Sequence, residues 1–181
     1  MKSASPEKSS FTLTFSARHL FAAGLIICLL LPIDMITKYL THTYLPLRSW
    51  YYPYCGIAVF ENIAGVQFSI VHATNQGAAW GILSDYQIPL LIARILLVAL
   101  LLFYLIFSTS HVSWRLPGSL IIAGAVGNIL DFFIYGHVVD MFYFVLWGYS
   151  YPVFNVADIA IFCGVCWLLI LSFFSEQTEQ K

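Results

Sequence analysis

Four long apolar segments, separated by more polar stretches, dominate the hydrophobic pattern of the chain. They cover about residues 19–40, 88–108, 116–135 and 156–174. Each is close to the roughly 20 mostly apolar residues that a helix needs to cross a bilayer. The second is the clearest, because residues 95–114 hold no formal charge. The pattern predicts a membrane protein of the all-α class with four transmembrane helices, folded as one integral membrane domain over residues 1–181.

The segment that connects the first two predicted helices, about residues 41–87, is rich in aromatic and β-branched residues. It is aromatic at positions 50–54 and continues through a run rich in β-branched and aromatic residues at 56–71. Such residues favour strands and an interfacial aromatic belt. We therefore expect a small extracytoplasmic β-structured cap between helices 1 and 2, and a shorter outer loop at about 136–155.

The scarcity of charge agrees with a membrane protein and narrows the range of partners. The chain is 60% hydrophobic and 9% charged, whereas a soluble domain carries about 25% charged residues. Its net charge of −1 provides no basic field for nucleic acid. Membrane lipid is therefore an expected partner, and nucleic acid is not.

The basic residues predict an orientation, because Lys and Arg are enriched on the cytoplasmic side. With the N-terminus inside, five of them are cytoplasmic and two are outside. The inner set comprises Lys2, Lys8, Arg18, Arg115 and Lys181, and the outer set comprises Lys38 and Arg48. We therefore expect both termini to be cytoplasmic.

Four of the five aspartates are then expected at one depth, towards the outer leaflet. Asp34 and Asp131 lie near the outer ends of helices 1 and 3, and Asp158 begins helix 4. Asp140 lies in the outer loop between helices 3 and 4. Acidic side chains within membrane segments are costly and need partners. The pattern indicates a polar site at this depth.

Helical spacing supplies partners for these carboxylates. Lys38 follows Asp34 by four residues, so the two can pair on one helical face. Arg94, near the outer end of helix 2, is a further candidate counter-ion. Two amide–acid pairs, three residues apart, are Asn128 with Asp131 and Asn155 with Asp158.

Paired carboxylates suggest acid–base chemistry. Two carboxylates at hydrogen-bonding range cannot both ionise easily, so one keeps a proton while the other acts as a base. Such a pair can activate water and protonate a leaving amine, as in aspartic proteases. Motifs of zinc proteases, serine hydrolases and phosphate-binding loops do not occur. The histidines show no ligand spacing, so no metal and no cofactor is expected; they are His19, His42, His72, His111 and His137.

Each aspartate also has a structural interpretation. Asp158 can cap the helix that it begins. For Asp34, the structural interpretation is that it does no more than pair with Lys38. Asp140 is flanked on both sides by apolar pairs, so a mere surface role is the least satisfactory there. Asp85 fits an ordinary turn or helix entry.

The sequence resembles the lipoprotein signal peptidases (type II signal peptidases) in five short motifs that occur in order. The motifs are Asp34-Met-Ile-Thr-Lys38, Asn75-Gln-Gly-Ala-Ala-Trp-Gly81, Gly124-Ala-Val-Gly-Asn-Ile-Leu-Asp131, Val138-Val-Asp-Met141 and Phe154-Asn-Val-Ala-Asp-Ile159. Each is weak alone, but together they span residues 34–159 of a chain with four predicted membrane helices.

The resemblance implies a membrane aspartic protease of the bacterial cytoplasmic (inner) membrane, with its active site near the outer leaflet. Its substrates would be diacylglyceryl-modified prolipoproteins, cut just before the lipid-bearing cysteine. The motifs imply Asp140 and Asp158 as the catalytic pair. The implied supporting residues are Asp34, Lys38, Asn75, Asn128, Asp131 and Asn155. Gly77, in a Gly-Ala-rich stretch that permits close backbone approach, is a further candidate for substrate contact.

One position departs from the family pattern. The family usually has arginine directly after the third-motif aspartate, where this chain has Phe132. Arg94 or Lys38 can supply the missing positive charge. Two other functions stay open: an ion-coupled transporter or proton channel, which also places acids in helices, and a non-catalytic membrane scaffold.

Overall fold

The computed structural model describes residues 6–48, 56–76, 84–107 and 112–179, which form four helices and four strands. The helices are α1 (Pro6–Tyr44), α2 (Gln87–Phe107), α3 (Arg115–Tyr135) and α4 (Val156–Glu179). The strands are β1 (Gly56–Ile63), β2 (Val66–Asn75), β3 (Val138–Leu146) and β4 (Tyr149–Ser150). Gly77 and the predicted aromatic belt at 50–54 lie outside the described residues.

The four predicted spans are confirmed. Four segments are long and apolar enough to cross a membrane: Arg18–Tyr44, Gln87–Phe107, Val112–Tyr135, which begins in a 3₁₀ turn just before α3, and Val156–Phe174. Large apolar side chains on α2, including Leu97, Leu100 and Phe103, are exposed. A helix that is apolar on its exposed face as well as its packed face suits a hydrocarbon environment rather than water.

The strands form one antiparallel sheet in the order β1-β2-β3-β4. A tight hairpin joins β1 to β2, with Ala64 at φ 53° and Gly65 at φ 85°. Glycine adopts this left-handed region without steric cost, which suits it to the second position of the turn. The predicted β-structured cap between helices 1 and 2 is thereby confirmed.

The sheet also takes two strands from residues 136–155, which the sequence analysis expected to be a loop. That expectation is wrong for β3 and β4. The first four residues of β3 are all buried, so the strand lacks the alternation of polar and apolar positions that marks a half-exposed strand. Asp140 therefore lies within a strand, opposite Ala73 of β2.

Helix α3 packs against each of the other three helices. Glycines permit its close approach to α4. A Cβ added at Gly124 would collide with the carbonyl oxygen of Ala157, and one added at Gly164 would lie 2.7 Å from the carbonyl oxygen of Pro117. Small residues at such crossings bring helix backbones together. The start of α4 is consequently held against the polar positions of α3.

Candidate active site

A fully buried lysine on α1 organises the polar cluster. The Lys38 Nζ lies 2.7 Å from Asp34 Oδ2 and 2.8 Å from Asp131 Oδ2. It also donates to Asn128 Oδ1 at 2.9 Å. These three acceptors use all three N–H groups of the ammonium. The predicted pairing of Asp34 with Lys38 is confirmed, and Asp131 of α3 joins it.

Asp34 and Asp131 also hold backbone groups of two other elements. Asp34 Oδ1 accepts a hydrogen bond from the Ala157 N–H at 2.8 Å. Asp131 Oδ2 accepts one from the Val139 N–H at 3.2 Å. Ala157 directly precedes Asp158, and Val139 directly precedes Asp140. The two buried carboxylates therefore position the backbone on which the other two aspartates sit.

Asn128 links α3 to α4. Its Nδ2 donates to Asp158 Oδ1 at 2.9 Å, and its Oδ1 accepts from Asn155 Nδ2 at 3.2 Å as well as from Lys38. The i,i+3 spacing predicted Asn128 as the amide partner of Asp131. The structure instead directs the Asn128 amide to Asp158, because α3 and α4 lie close together.

Asn155 and Asp158 form a reciprocal cap at the start of α4. The Asp158 N–H donates to Asn155 Oδ1 at 2.9 Å, and the Asn155 N–H donates to Asp158 Oδ2 at 3.2 Å. This is the geometry of a capping box, with Asn and Asp in place of the usual Ser/Thr and Glu. The predicted pairing of these two residues is confirmed, so Asp158 does cap its helix in addition to any other role.

Asp140 is buried and joined to the same amides. Asn155 Nδ2 donates to Asp140 Oδ1 at 2.7 Å, and the Asn75 side chain also hydrogen-bonds to Asp140. Burial and the nearby Asp158 carboxylate raise the pKa of Asp140 to about 7, against the opposing effect of these hydrogen bonds. A carboxyl group that retains its proton near neutral pH is what a general acid requires.

Asn155 therefore bridges the two aspartates that the sequence singled out. Its side-chain amide binds Asp140 and its backbone N–H binds Asp158. All four aspartates that were expected at one depth meet in this network. Asp85 lies apart from it, exposed in a single 3₁₀ turn, Ser84–Tyr86, before α2.

Arg94 provides a positive charge near the pair, through electrostatic interactions with Asp158 and Asp140. Lys38 is already committed to its three partners within the cluster. Phe132 makes an edge-to-face contact with Phe133, at 6.2 Å between ring centroids. Arg94 thus interacts with both aspartates of the pair, and Lys38 also acts electrostatically on Asp140.

A cavity of about 720 Å³ opens beside Asp158 between α4 and the sheet. Among the described residues of its lining, Asp158 is the one acidic residue and the others are apolar or aromatic. The lining residues include Phe144, Leu146, Phe154, Ile159, Phe162 and Val165. The cavity therefore presents a carboxylate at the edge of a space suited to apolar groups.

Gly127 lies at the cluster, and its individual role was not evident from the sequence. A Cβ added there would collide with Asp34 Oδ2, so the absence of a side chain lets α1 bring its carboxylate against α3. The signal was present in the third motif, where Gly127 immediately precedes Asn128. Spacing alone did not assign that glycine to the contact with α1.

We expect Gly127→Ala to lower the free energy of unfolding by about 1–3 kcal/mol, because the methyl group must displace Asp34 from the cluster. Gly24→Ala on α1 is the matched control, since no described residue lies within 4 Å of a Cβ added there. Alanine there should be neutral or stabilise by up to about 1 kcal/mol. Thermal unfolding of both variants in one detergent measures the difference, and equal transition temperatures would contradict the close-approach role.

Together, fold and site define a four-span membrane protein with a buried carboxylate cluster beside an apolar cavity. The sequence matches the family described as Signal peptidase (SPase) II over residues 26–174. The chain belongs to this signal peptidase II family, which confirms the resemblance seen in the five motifs.

Individual relatives agree with this assignment. A lipoprotein signal peptidase of Chlamydia pneumoniae is 34% identical over 171 residues, covering 87% of this chain and 94% of the relative. One from Xylella fastidiosa (strain M12) is 40% identical over 112 residues, covering 59% and 67% respectively. A solved structure described as a bacterial membrane enzyme superposes with a TM-score of 0.71 at 30% identity, covering 88% of this chain and 91% of that one.

Proposed function

We propose that the protein is an aspartic endopeptidase that removes signal peptides from lipid-modified prolipoproteins, with Asp140 and Asp158 as its catalytic pair. The observation that carries the proposal is the bridging of these two carboxyl groups by Asn155. The two relatives are lipoprotein signal peptidases, which supports the substrate class. Cleavage just before the lipid-bearing cysteine follows from the motif resemblance.

Asp140 and Asp158 divide the chemistry between them. Asp158 borders the cavity and acts as the base, taking a proton from water while the water oxygen attacks the scissile carbonyl carbon. Asp140 keeps its proton near neutral pH and gives it to the carbonyl oxygen, forming a neutral tetrahedral intermediate. When the C–N bond breaks, Asp158 returns its proton to the leaving amine and Asp140 recovers one from the intermediate, so both groups end as they began.

The remaining polar residues orient this pair. Asn75 and Asn155 fix the Asp140 carboxyl group, and Asn128 fixes Asp158. Asp34, Asp131 and Lys38 hold the preceding backbone amides. Arg94 supplies positive potential beside the pair, in place of the arginine that the family usually carries where Phe132 stands.

The cavity between α4 and the sheet is the proposed location of the substrate acyl chains. Its volume of about 720 Å³ lies within the usual range for small-molecule sites. Asp158 at its edge would bring the scissile bond of an acyl-bearing peptide to the catalytic pair. Gly77 stays a candidate for contact with the peptide.

We further propose that the protein lies in the bacterial inner membrane with both termini cytoplasmic. Lys38 and Arg115 are buried, so neither counts as a loop charge. Without Arg115, four of the five inner basic residues remain. Without Lys38, Arg48 is the one outer basic residue that remains. The remaining asymmetry supports the predicted orientation, in which the catalytic pair would lie near the outer leaflet.

The decisive experiment incubates the purified full-length protein in detergent with a lipid-modified prolipoprotein. A band shift to the mature size on a gel is expected. A precursor whose lipid-bearing cysteine is replaced by serine is the matched control and should stay uncut. Failure to cut the lipid-modified substrate, together with proton flux in liposomes, would overturn the proposal in favour of the transporter.

The cleavage rate should fall as the pH rises above about 7. Asp140 must hold a proton in the proposed cycle, and its pKa of about 7 means that this proton is lost in that range. We expect initial rates to fall about tenfold per pH unit well above the pKa. Circular dichroism at each pH controls for unfolding. A rate that keeps rising to pH 9 would contradict the assignment of Asp140 as the acid.

A further inference from the structure

Three histidines from separate elements meet about one helical turn beyond Lys38. His42 lies on α1, His72 lies on β2, and His137 follows the end of α3. One ring nitrogen from each can be chosen so that all three lie within 4.8 Å of one another. These three histidines show no ligand spacing in the sequence, and only the fold brings them together.

Two of the three rings carry a buried nitrogen with no hydrogen-bond partner among the described residues. His72 Nδ1 lies 3.1 Å from the Leu45 carbonyl oxygen, which accepts a hydrogen bond when Nδ1 carries the proton. That tautomer leaves a lone pair on His72 Nε2. Within the described part of the chain, Nε2 of His72 and Nε2 of His137 are buried and have no hydrogen-bond partner. A backbone carbonyl that orients a histidine through its other nitrogen is the usual second-layer contact of metal-binding histidines.

The three rings differ in exposure. His72 is buried, His137 is half-buried and His42 is exposed. The His42 ring centroid lies 5.1 Å from that of His72 and 6.2 Å from that of His137. The His42 ring also packs against Tyr135, at 4.6 Å between ring centroids.

We propose that His42, His72 and His137 bind one divalent transition-metal ion, with Zn²⁺ as the best match. Neutral imidazole is a preferred ligand of Zn²⁺ and related ions, whereas Mg²⁺ and Ca²⁺ prefer oxygen. Zn–N distances of about 2.0–2.1 Å require the three nitrogens to draw together around the ion. Water completes the tetrahedral coordination.

The ion would brace the elements that position the carboxylate cluster. His42 lies four residues after Lys38 on α1, and His137 lies three residues before Asp140. His72 lies three residues before Asn75 on β2. Linking the three histidines therefore fixes the end of α1 to β2 and to the turn between α3 and β3. The site stands apart from the proposed catalytic pair and does not depend on its chemistry.

Metal binding is tested on the full-length protein, purified without a polyhistidine tag and stripped with a chelator. Isothermal titration with Zn²⁺ should give one ion per chain, while Mg²⁺ gives no binding. Zn²⁺ should also raise the unfolding temperature. Co²⁺ should produce the visible absorption bands of a tetrahedral nitrogen-ligated ion.

Variants separate this site from adventitious binding. His72→Gln and His42→Gln should each weaken Zn²⁺ affinity at least tenfold and remove the Co²⁺ bands. His19→Gln, near the other end of the α1 span, is the matched control and should bind Zn²⁺ like the unaltered protein. If His72→Gln does not fold, the exposed position His42 decides the question. Equal Zn²⁺ affinity in His42→Gln, His19→Gln and the unaltered protein would overturn the proposal.

Discussion

Replacing either carboxylic acid of the proposed pair by its amide is expected to abolish cleavage of a lipid-modified prolipoprotein. Asp140→Asn removes the proton donor, and Asp158→Asn removes the base that activates water. General acid–base groups contribute about 100- to 10,000-fold each, so each variant should lose at least about 1,000-fold in initial rate. The measurement is the gel assay with purified protein at matched concentrations.

Asp85→Asn is the matched control, because Asp85 is exposed in the 3₁₀ turn before α2. The same change of acid to amide there should leave the rate within about twofold. Membrane insertion of all three variants is checked by fractionation. Turnover at the unaltered rate in Asp140→Asn or in Asp158→Asn would rule out the pair as the catalytic acids.

Asp140→Asn should lower activity but raise the free energy of unfolding at neutral pH. Its pKa rises from 3.8 to about 7 on folding, so between these values the folded state binds more protons than the unfolded state. Stability from this group is complete below pH 3.8 and is lost as the pH rises towards 7, at up to about 1.4 kcal/mol per pH unit. The neutral Asp140→Asn side chain avoids this loss, so the inactive variant should be more stable than the unaltered protein at neutral pH.

The membrane helices were predictable because their signal is local. A run of about 20 apolar residues specifies a span regardless of its neighbours, and α2 at Gln87–Phe107 agrees with the predicted 88–108 to within one residue. β3 was not predictable in this way. Its first half is buried on both faces, so its pattern is a short apolar run interrupted by Asp140 rather than an alternation.

The contacts of the site likewise fall into those that follow from local spacing and those that depend on packing. The pairing of Asp34 with Lys38 follows from helical spacing alone. The hydrogen bond from Ala157 to Asp34 joins residues 123 positions apart, so it depends on how α1 and α4 pack around α3. The contact of Asn128 with Asp158 depends on the same packing. The histidine cluster likewise exists only once α1, β2 and the end of α3 have come together.

The positive charge of Lys38 stabilises this packing, because Asp34 and Asp131 share it as their cation. We therefore expect Lys38→Met to be the most damaging single substitution for stability. Methionine has a similar length but no charge, so Asp34 and Asp131 would stay buried without their shared cation. Breaking a buried ion pair by removing one partner costs about 3–5 kcal/mol. We expect a loss of that size in the free energy of unfolding, measured by denaturant titration in detergent. Arg18→Met, at an exposed position of α1, should change it by less than about 0.5 kcal/mol.

A triple variant separates the loss of charge balance from the loss of packing. Lys38→Met combined with Asp34→Asn and Asp131→Asn leaves no uncompensated charge, while both amides can still accept the hydrogen bonds from Ala157 and Val139. We expect it to recover most of the stability lost in Lys38→Met, because the penalty comes from isolated buried carboxylates rather than from a missing contact. A triple variant no more stable than Lys38→Met would mean that Lys38 acts through packing. Full stability of Lys38→Met itself would mean that the cluster does not need its cation.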